Sequence, residues 1–474
     1  MRKALLVVLT LIVVDLTWPL ATGWAARLLT LQEAVRLAVE QDPDTRYAKR
    51  SIEIAATKRS QARQRYLPKL DVGLTNSPQV DYFGQPVINK MLWNSFVSLD
   101  QPLYAGGTIK NSVKLAEAEK RRQGFEYTIY RQKIETDATQ VYFQTLSTQA
   151  AVDQYEALHK QAKEEVQEAE TRWQAGLISR LDLLEAANKL LDIEQRLAKA
   201  KADHQITTAN LRKLLGLEGA EYLRLVDEIP LRDITPEYDL LLLEAKEKRP
   251  ELLYLSEDIK YNQIKTDIEK GRQKPQFSLV AAHEWQSPQL FESNKNFVIM
   301  LKATYSWENT TLSYQESRQQ IYPNAYAYPR YPGSPPLQTY YFSVRTLKYS
   351  LFDNSSNKVE LAKAQSDRDL AQERWRQQQL GLNAELQGVL TQKQESASRI
   401  RAAKQQINLS EEMVAIQRNK YRTGLTTLAE VLKARTTLAE AYINLMQAKR
   451  DFAIALAQLH RLLGRELFPQ EALP

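Results

Sequence analysis

The segment RWQAGLISRLDLLEA at positions 172 to 186 returns as KYRTGLTTLAEVLKA at positions 420 to 434. The offset of 248 continues without a gap to LRKLLG at 211 to 216 and LHRLLG at 459 to 464, and 15 of the 45 paired positions from 172 onward are identical. Ungapped similarity at one offset indicates an internal duplication. Gly176 and Gly424 lie at the same place in both copies, where a positive φ lets one helix end and the chain turn back. The sequence therefore predicts two copies of a helical hairpin.

The arms of both hairpins are long and free of proline. No proline occurs between Pro102 and Pro230, or between Pro336 and Pro469. The first arm, 108 to 172, is rich in Glu, Lys, Gln and Ala, and as a helix it would be about 98 Å long. The returning arms carry apolar residues at steps of three and four, a heptad pattern that predicts coiled-coil packing. His204 lies in this pattern, but its duplicate is Phe452, which favours a structural histidine.

The N-terminus has the features of a secretory signal peptide. Arg2 and Lys3 precede an apolar run, and Gly23 and Ala25 provide the small residues of a cleavage site before Ala26. A membrane anchor is the alternative, but Asp15 ends the apolar run at about 11 residues where a spanning helix needs about 20. We therefore expect the mature chain to leave the cytoplasm.

A second offset divides the chain further. Pro43 and Pro68 match Pro250 and Pro275 at an offset of 207, whereas the two hairpins match at an offset of 248. The difference between the two offsets, 41 residues, is an insertion in the second half. We predict a signal peptide over 1–25, a first repeat over 26–216, a linker over 217–249, and a second repeat over 250–464 with an insertion at about 288–338. Residues 465–474 form a C-terminal tail. Each repeat would contain a helix, a strand pair and the long helical hairpin.

Short segments between the helices alternate with a period of two. QFSLVAAHEW at 276 to 285 and NFVIMLKATYSW at 296 to 307 each place apolar residues on one face and aromatic residues near the ends. This length and pattern are typical of outer-membrane strands whose apolar face contacts lipid. Soluble hairpins are the alternative, but they leave the signal peptide and the very long helices unexplained.

Composition and motifs argue against catalysis. The chain has 474 residues, a net charge of +7, 26% charged residues, a mean hydropathy of −0.48 and no cysteine. The high content of charged residues and the negative mean hydropathy exclude a polytopic helical membrane protein. The net charge is too small for a chain of this length to indicate nucleic-acid binding. The four histidines are scattered singly, and no phosphate loop, dinucleotide fingerprint or nucleophile elbow is present. We expect no enzyme activity, no cofactor and no metal site.

The order of these signals resembles the TolC family of outer-membrane efflux channels. The likeness covers essentially the mature chain, and PLYAGG at 102 to 107, SLFDNS at 350 to 355 and the two tip segments carry it. The resemblance implies a mostly α fold with a small β part. It implies a homotrimer in which the duplicated hairpins form an α-barrel across the periplasm and the strands form a shared barrel in outer-membrane lipid. The chain would be a passive exit duct, gated at its periplasmic tips, for a tripartite efflux or type I secretion system.

The resemblance also assigns roles to individual residues. In the family, an acidic residue six positions after the first tip glycine pairs with an aromatic hydroxyl three positions before the second, which here are Asp182 and Tyr421. Glu430 matches a family gate position, whereas Lys433 departs from it and puts a purely acidic constriction in doubt. The tips would dock a periplasmic adaptor and an inner-membrane pump through Arg172, Gly176, Leu177, Ser179, Gly424, Leu425 and Thr427.

Three questions stay open at this point. A periplasmic adaptor or a secreted structural coiled coil are rival functions, although an adaptor needs only one hairpin and a structural coiled coil needs no lipid-patterned strands. Asp182, Tyr421, Glu430 and Lys433 can also be ordinary solvated residues. The resemblance implies four strands per chain, and we expect the insertion to form an extracellular cap, because TTLSYQESR at 310 to 318 lacks lipid-facing alternation. A chain of six strands is the less favoured alternative.

Overall fold

The computed structural model describes residues 27–80, 86–217, 223–227, 237–287, 295–307, 310–321, 340–351 and 355–465. The predicted signal peptide, the tail after residue 465 and the Tyr-rich and Pro-rich loop at 322 to 336 lie outside these residues. Within them the chain is mostly helical with a small β part, as the sequence predicted.

The first half of the chain contains a short strand, two helices, a strand pair and a long helical hairpin. These elements are β1 (Arg27–Leu29), α1 (Leu31–Gln41), α2 (Pro43–Gln64), β2 (Lys69–Val80), β3 (Pro86–Ala105), α3 (Thr108–Gln174) and α4 (Arg180–Leu215). The second half repeats this order with two further strands. It consists of β4 (Leu223–Leu225), α5 (Tyr238–Lys248), α6 (Pro250–Arg272), β5 (Gln276–Ser287), β6 (Lys295–Trp307), β7 (Thr310–Ile321), β8 (Tyr340–Leu351), α7 (Ser355–Arg422) and α8 (Leu428–Leu462).

The duplicated helical hairpin is confirmed. α3 has 67 residues and α7 has 68, and each is followed after a short turn by a helix of 36 or 35 residues. α2 and α6 each begin with a proline, whose fixed φ and missing N–H suit the first position of a helix. β2 and β5 then begin one residue after Pro68 and Pro275.

By packing, the chain divides into two compact units: Met1–Arg46, Arg131–Ala245 and Ala384–Pro474, and Tyr47–Tyr130 with Lys246–Asn383. The first unit contains the ends of the hairpins and a hydrophobic core in which β1 and α1 pack with parts of α3, α4, β4 and α8. There β1 pairs in parallel with β4, a two-stranded sheet that the sequence did not predict. The buried Tyr142 hydroxyl donates to the Leu29 carbonyl and to Asp227, each at 2.8 Å.

The second unit contains one sheet in the order β2-β3-β5-β6-β7-β8, with every neighbouring pair antiparallel. The expectation of four strands per chain is therefore wrong, and the insertion contributes two strands. The reason lies in the backbone: β7 pairs with β6 and with β8 over its whole length, so its N–H and C=O groups are satisfied whatever its side chains are. The missing apolar alternation did not prevent pairing.

The two faces of this sheet differ in polarity. Residues directly opposite each other in neighbouring strands share a face. One face carries large exposed apolar side chains, namely Leu70, Val72, Leu74, Leu99, Phe277, Leu279, Phe297, Ile299, Leu301, Tyr305, Leu347 and Leu351. The other face includes Asp71, Asp100, Glu284, Lys302 and Lys348. The apolar face is the one that the strand patterns predicted to contact lipid.

Among the described helices, none combines the length and the apolar character needed to cross a bilayer.

Candidate functional site at the helix tips

Both hairpins turn through the same backbone motif. At the first tip, Leu177 N–H donates to the Arg172 carbonyl at 2.9 Å, and Gly176 N–H donates to the Trp173 carbonyl at 2.8 Å. At the second tip, Leu425 bonds to Lys420 at 2.9 Å and Gly424 to Tyr421 at 3.1 Å. Gly176 and Gly424 both have φ of 74°, a left-handed conformation that a β-carbon disfavours. The structure therefore places both predicted glycines at the turns.

The helices that leave the two tips begin differently. Ser179 caps α4: its hydroxyl accepts from Asp182 N–H at 3.1 Å, and the Asp182 carboxylate accepts from Ser179 N–H at 3.4 Å and from its hydroxyl at 2.8 Å. This reciprocal pattern is a capping box. Thr427 has the same place before α8 and an extended backbone, but its side chain makes no capping bond.

Tyr421 is held by Arg172 rather than by Asp182. The Arg172 guanidinium carbon lies 5.6 Å from the centre of the Tyr421 ring, and the same side chain forms an ion pair with Glu168 at 2.6 Å. Burial raises the pKa of the Tyr421 hydroxyl, and the nearby Arg172 charge partly opposes this. Within the residues that the structure describes, Asp182 and Tyr421 form no hydrogen bond, and Asp182 Oδ2 instead accepts from Ser179 in the helix cap.

A buried ion pair lies beneath the tips, and sequence reasoning missed it. Arg435 on α8 contacts Glu165 on α3 at 2.7 Å, and only 7% of the Arg435 side chain is exposed. Burial raises the pKa of Glu165, while Arg435 and Arg418 pull it down. Arg435 directly follows Ala434, which belongs to the apolar heptad pattern. A polar residue at the edge of this buried stripe was the signal in the sequence that could have revealed the ion pair.

The ion pair adjoins an apolar cluster that joins several helices. Its buried members are Leu158, Ala162, Ala169, Ala186, Ile193, Leu428, Val431, Leu432 and Ala439. Tyr421, Ile178 and Leu183 pack against this cluster from the ends of the hairpins. α4 and α8 contact each other, as the heptad pattern predicted.

The other two residues to which the resemblance assigns a gate role form a solvated ion pair. Lys433 Nζ lies 3.7 Å from a Glu430 carboxylate oxygen, one turn apart on α8, and more than half of the Lys433 side chain is exposed. An exposed pair of this kind contributes at most about 1 kcal/mol to stability. The two charges compensate each other, so neither presents an isolated charge at the start of α8.

The outermost apolar residues of the tips face solvent. Leu177 is 74% exposed and Leu425 is 77% exposed. They occupy equivalent positions directly after the turn glycines, and each would lose unfavourable contact with water on binding a partner. Among the described residues, no group of His, Asp and Glu has the arrangement of a metal site.

Residues 34–217 and 241–465 match the family described as Outer membrane efflux protein. The chain is also 21% identical, over 118 residues, to Nodulation protein T of Rhizobium leguminosarum bv. trifolii. That match spans about a quarter of this chain and a quarter of the relative's length.

Several solved structures share the fold at low sequence identity. CusC, studied for conformational changes in folding and transmembrane channel formation, matches with a TM-score of 0.71 at 14% identity over 95% of this chain and 96% of its own. The Campylobacter jejuni CmeC outer membrane channel matches with 0.71 at 14% identity, over 92% and 85%. The open state of the Neisseria gonorrhoeae MtrE outer membrane channel matches with 0.70 at 15% identity, over 92% and 89%.

Proposed function

This chain belongs to the outer membrane efflux protein family, and we propose that three copies of it enclose one duct that is closed at the helix tips until a periplasmic adaptor docks there. Its function is that of an outer-membrane efflux channel of the kind used in tripartite systems, and its place is the outer membrane. Family members are channels rather than enzymes. This membership excludes the rival assignments as a periplasmic adaptor or a secreted structural coiled coil.

The exposed leucines support the tips as the docking surface. Leu177 and Leu425 are presented by identical turns, so one copy offers two equivalent apolar contacts and three copies offer six. A single exposed leucine is ordinary on a protein surface, but a repeated set at one end favours a partner with matching repeats. Arg172, Gly176 and Ser179 shape the first contact, and Gly424 and Thr427 shape the second.

The gate that we propose is built on the packing of Tyr421. Arg172, near the end of α3, holds Tyr421, near the end of α7, so the two hairpins of one copy are tied at their tips. Asp182 fixes the first turn of α4 beside this contact. Glu430 and Lys433 would make the constriction weakly charged rather than strongly acidic, because they compensate each other.

The strength of this tie suits a gate that a partner must open. A partly exposed cation–π contact is worth about 0.5 to 1 kcal/mol, so three copies together would stabilise the closed state by roughly 1.5 to 3 kcal/mol. The binding energy of an adaptor exceeds this amount easily. Because the duct itself has no energy source, transport would be driven by an inner-membrane pump.

Site-specific photo-crosslinking in living cells tests this proposal. A photoreactive residue is placed at Leu177 or Leu425, and a matched control carries it at Leu409, which is 60% exposed on α7 away from the turns. We expect adducts with a periplasmic adaptor from both tip positions and none from the control. Equal labelling from all three positions, with trimers intact, would contradict the docking surface.

A further inference from the structure

We propose that this channel has an unusually wide outer-membrane mouth, because each copy contributes six strands to the wall instead of the four that resemblance to the TolC family implies. The inference rests on the proposed trimer: six strands from each of three copies make a closed barrel of 18. The extra hairpin, β6 and β7, would be part of the wall rather than an external cap.

The backbone ladder carries the first argument. β6 pairs with β7 from Phe297 opposite Gln320 to Trp307 opposite Thr310 without a shift of register. β7 pairs with β8 from Thr310 opposite Leu351 to Ile321 opposite Tyr340, again without a shift. β5 pairs with β6 in the same regular way. A hairpin outside the wall would bring β5 next to β8, whereas here two full strands separate them.

The polarity of the faces carries the second argument. Leu279 of β5 lies opposite Leu301 of β6, and both have about 40% of their surface exposed. Phe297 and Ile299 continue this apolar face on β6. The opposite face of β6 carries Lys302 beside Gln315 of β7. This is the division into a lipid face and a water face that a barrel wall requires.

Charged residues on the lipid side of β7 and β8 compensate each other. Glu316 shares a face with Leu301, and its carboxylate accepts from Arg345 at 3.3 Å and from the Tyr314 hydroxyl at 3.1 Å. A lone charge on the lipid face at mid-depth costs about 2 to 4 kcal/mol, but a paired and hydrogen-bonded one presents no net charge. Arg318 lies closer to the strand end, from which a long side chain can reach the interface.

The two edges of the sheet complete the argument. β2 and β8 are the edge strands, and in lipid an unpaired edge leaves many backbone groups without hydrogen bonds. β2 leads away from α2 and β8 leads into α7, so β8 of one copy would meet β2 of the next copy in antiparallel orientation. Leu70 and Val72 on one edge and Leu347 and Leu351 on the other are exposed on the apolar face.

Barrel diameter follows from strand number. With strands about 4.8 Å apart and tilted by about 40°, a barrel of 18 strands is about 36 Å across between backbones, against about 24 Å for 12 strands. The outer-membrane mouth of this duct would therefore be wider, by half, than the mouth of a barrel with four strands per copy.

Engineered cysteines test the wall directly, because the native chain has none. In outer membranes of intact cells, a short bifunctional thiol reagent is applied to three double variants. Tyr314→Cys with Leu347→Cys joins opposite residues of β7 and β8, and Leu279→Cys with Leu301→Cys joins opposite residues of β5 and β6. Leu279→Cys with Leu347→Cys is the control, since it would crosslink only if β5 and β8 were neighbours.

We expect efficient crosslinks within the chain for the first two pairs and none for the control. A crosslinked control together with unlinked first pairs would overturn the six-stranded wall. Closure is tested by Leu70→Cys combined in turn with Leu347→Cys, Tyr349→Cys and Leu351→Cys, for which we expect covalent trimers in at least one combination. Monomers in all three would overturn the barrel of 18. These results do not depend on adaptor capture at the tips, so the two proposals can fail separately.

Discussion

Tyr421 is the residue at which the sequence-based latch and the structure differ most. A latch through its hydroxyl needs a hydrogen bond to Asp182, but the ring instead lies under Arg172 and the Asp182 carboxylate caps α4. Arg172, rather than Asp182, is therefore the partner of Tyr421: it contacts the ring and also donates a hydrogen bond to the hydroxyl. Tyr421→Phe keeps a ring for Arg172, whereas Tyr421→Ala removes it.

We therefore expect Tyr421→Ala to raise the open fraction of single channels in planar bilayers roughly tenfold or more, since three cation–π contacts are lost. Tyr421→Phe keeps the ring contact and loses only the hydrogen bond from Arg172 to the hydroxyl, so it should raise the open fraction less than Tyr421→Ala does. If the two variants opened the channel equally, the hydroxyl would be the functional group and the ring contact would be incidental.

The Glu165–Arg435 pair gives a prediction about stability. Glu165→Gln leaves the buried Arg435 guanidinium without its counter-charge, and breaking such a pair costs about 3 kcal/mol. The apparent melting temperature of the purified protein should fall by several degrees. The double variant Glu165→Leu with Arg435→Met removes both charges and should recover most of the loss. Equal destabilisation by the single and double variants would mean that side-chain packing, and not charge, is lost.

At the scale of elements, the duplication provides a matched pair of helix starts. Ser179 caps α4 and Thr427 makes no capping bond at α8, although both precede the same turn of helix. Ser179→Ala should weaken the first turn of α4 by about 1 kcal/mol, and Thr427→Ala should change little at α8. Hydrogen exchange of the amides in each first turn measures this, and equal acceleration in both variants would contradict the difference in capping.

The long elements could be predicted from sequence because their signals accumulate over many residues. A proline-free stretch, a fixed offset and a heptad pattern all point to the same hairpin, and Gly176 and Gly424 mark its turns. β1 and β4 have three residues each, which is too short for any periodicity to appear. β7 is polar on both faces, so only its pairing with β6 and β8 reveals it as a strand.

The site could be predicted in position but not in contacts. The tip segments located Asp182 and Tyr421 correctly at the two hairpin ends, since a duplicated motif fixes chain position. Which side chain bonds to which depends on rotamers and on nearby alternatives, and here Asp182 Oδ2 bonds to Ser179, three residues earlier in the chain. Arg435 was missed because a single polar residue beside an apolar stripe carries little information.

At the scale of the whole molecule, one copy is incomplete in two ways. Among the residues that the structure describes, β2 and β8 are the edge strands of the sheet, and an apolar face next to them is exposed. Its hairpin turns expose Leu177 and Leu425, and the trimer that we propose would repeat these leucines around a common axis. Both features are explained if copies assemble around a shared lumen, and the family to which the chain belongs consists of such channels.

Electron cryo-microscopy of the protein purified from outer membranes measures this assembly most directly. We expect three copies around one continuous lumen, constricted where Tyr421 and Arg172 meet, and the number of strands in the wall can be counted in the same map. A wall of 12 strands would overturn the wide mouth but leave the duct in place. Separate monomers, or three copies without a common lumen, would contradict the central claim that this chain forms an exit channel.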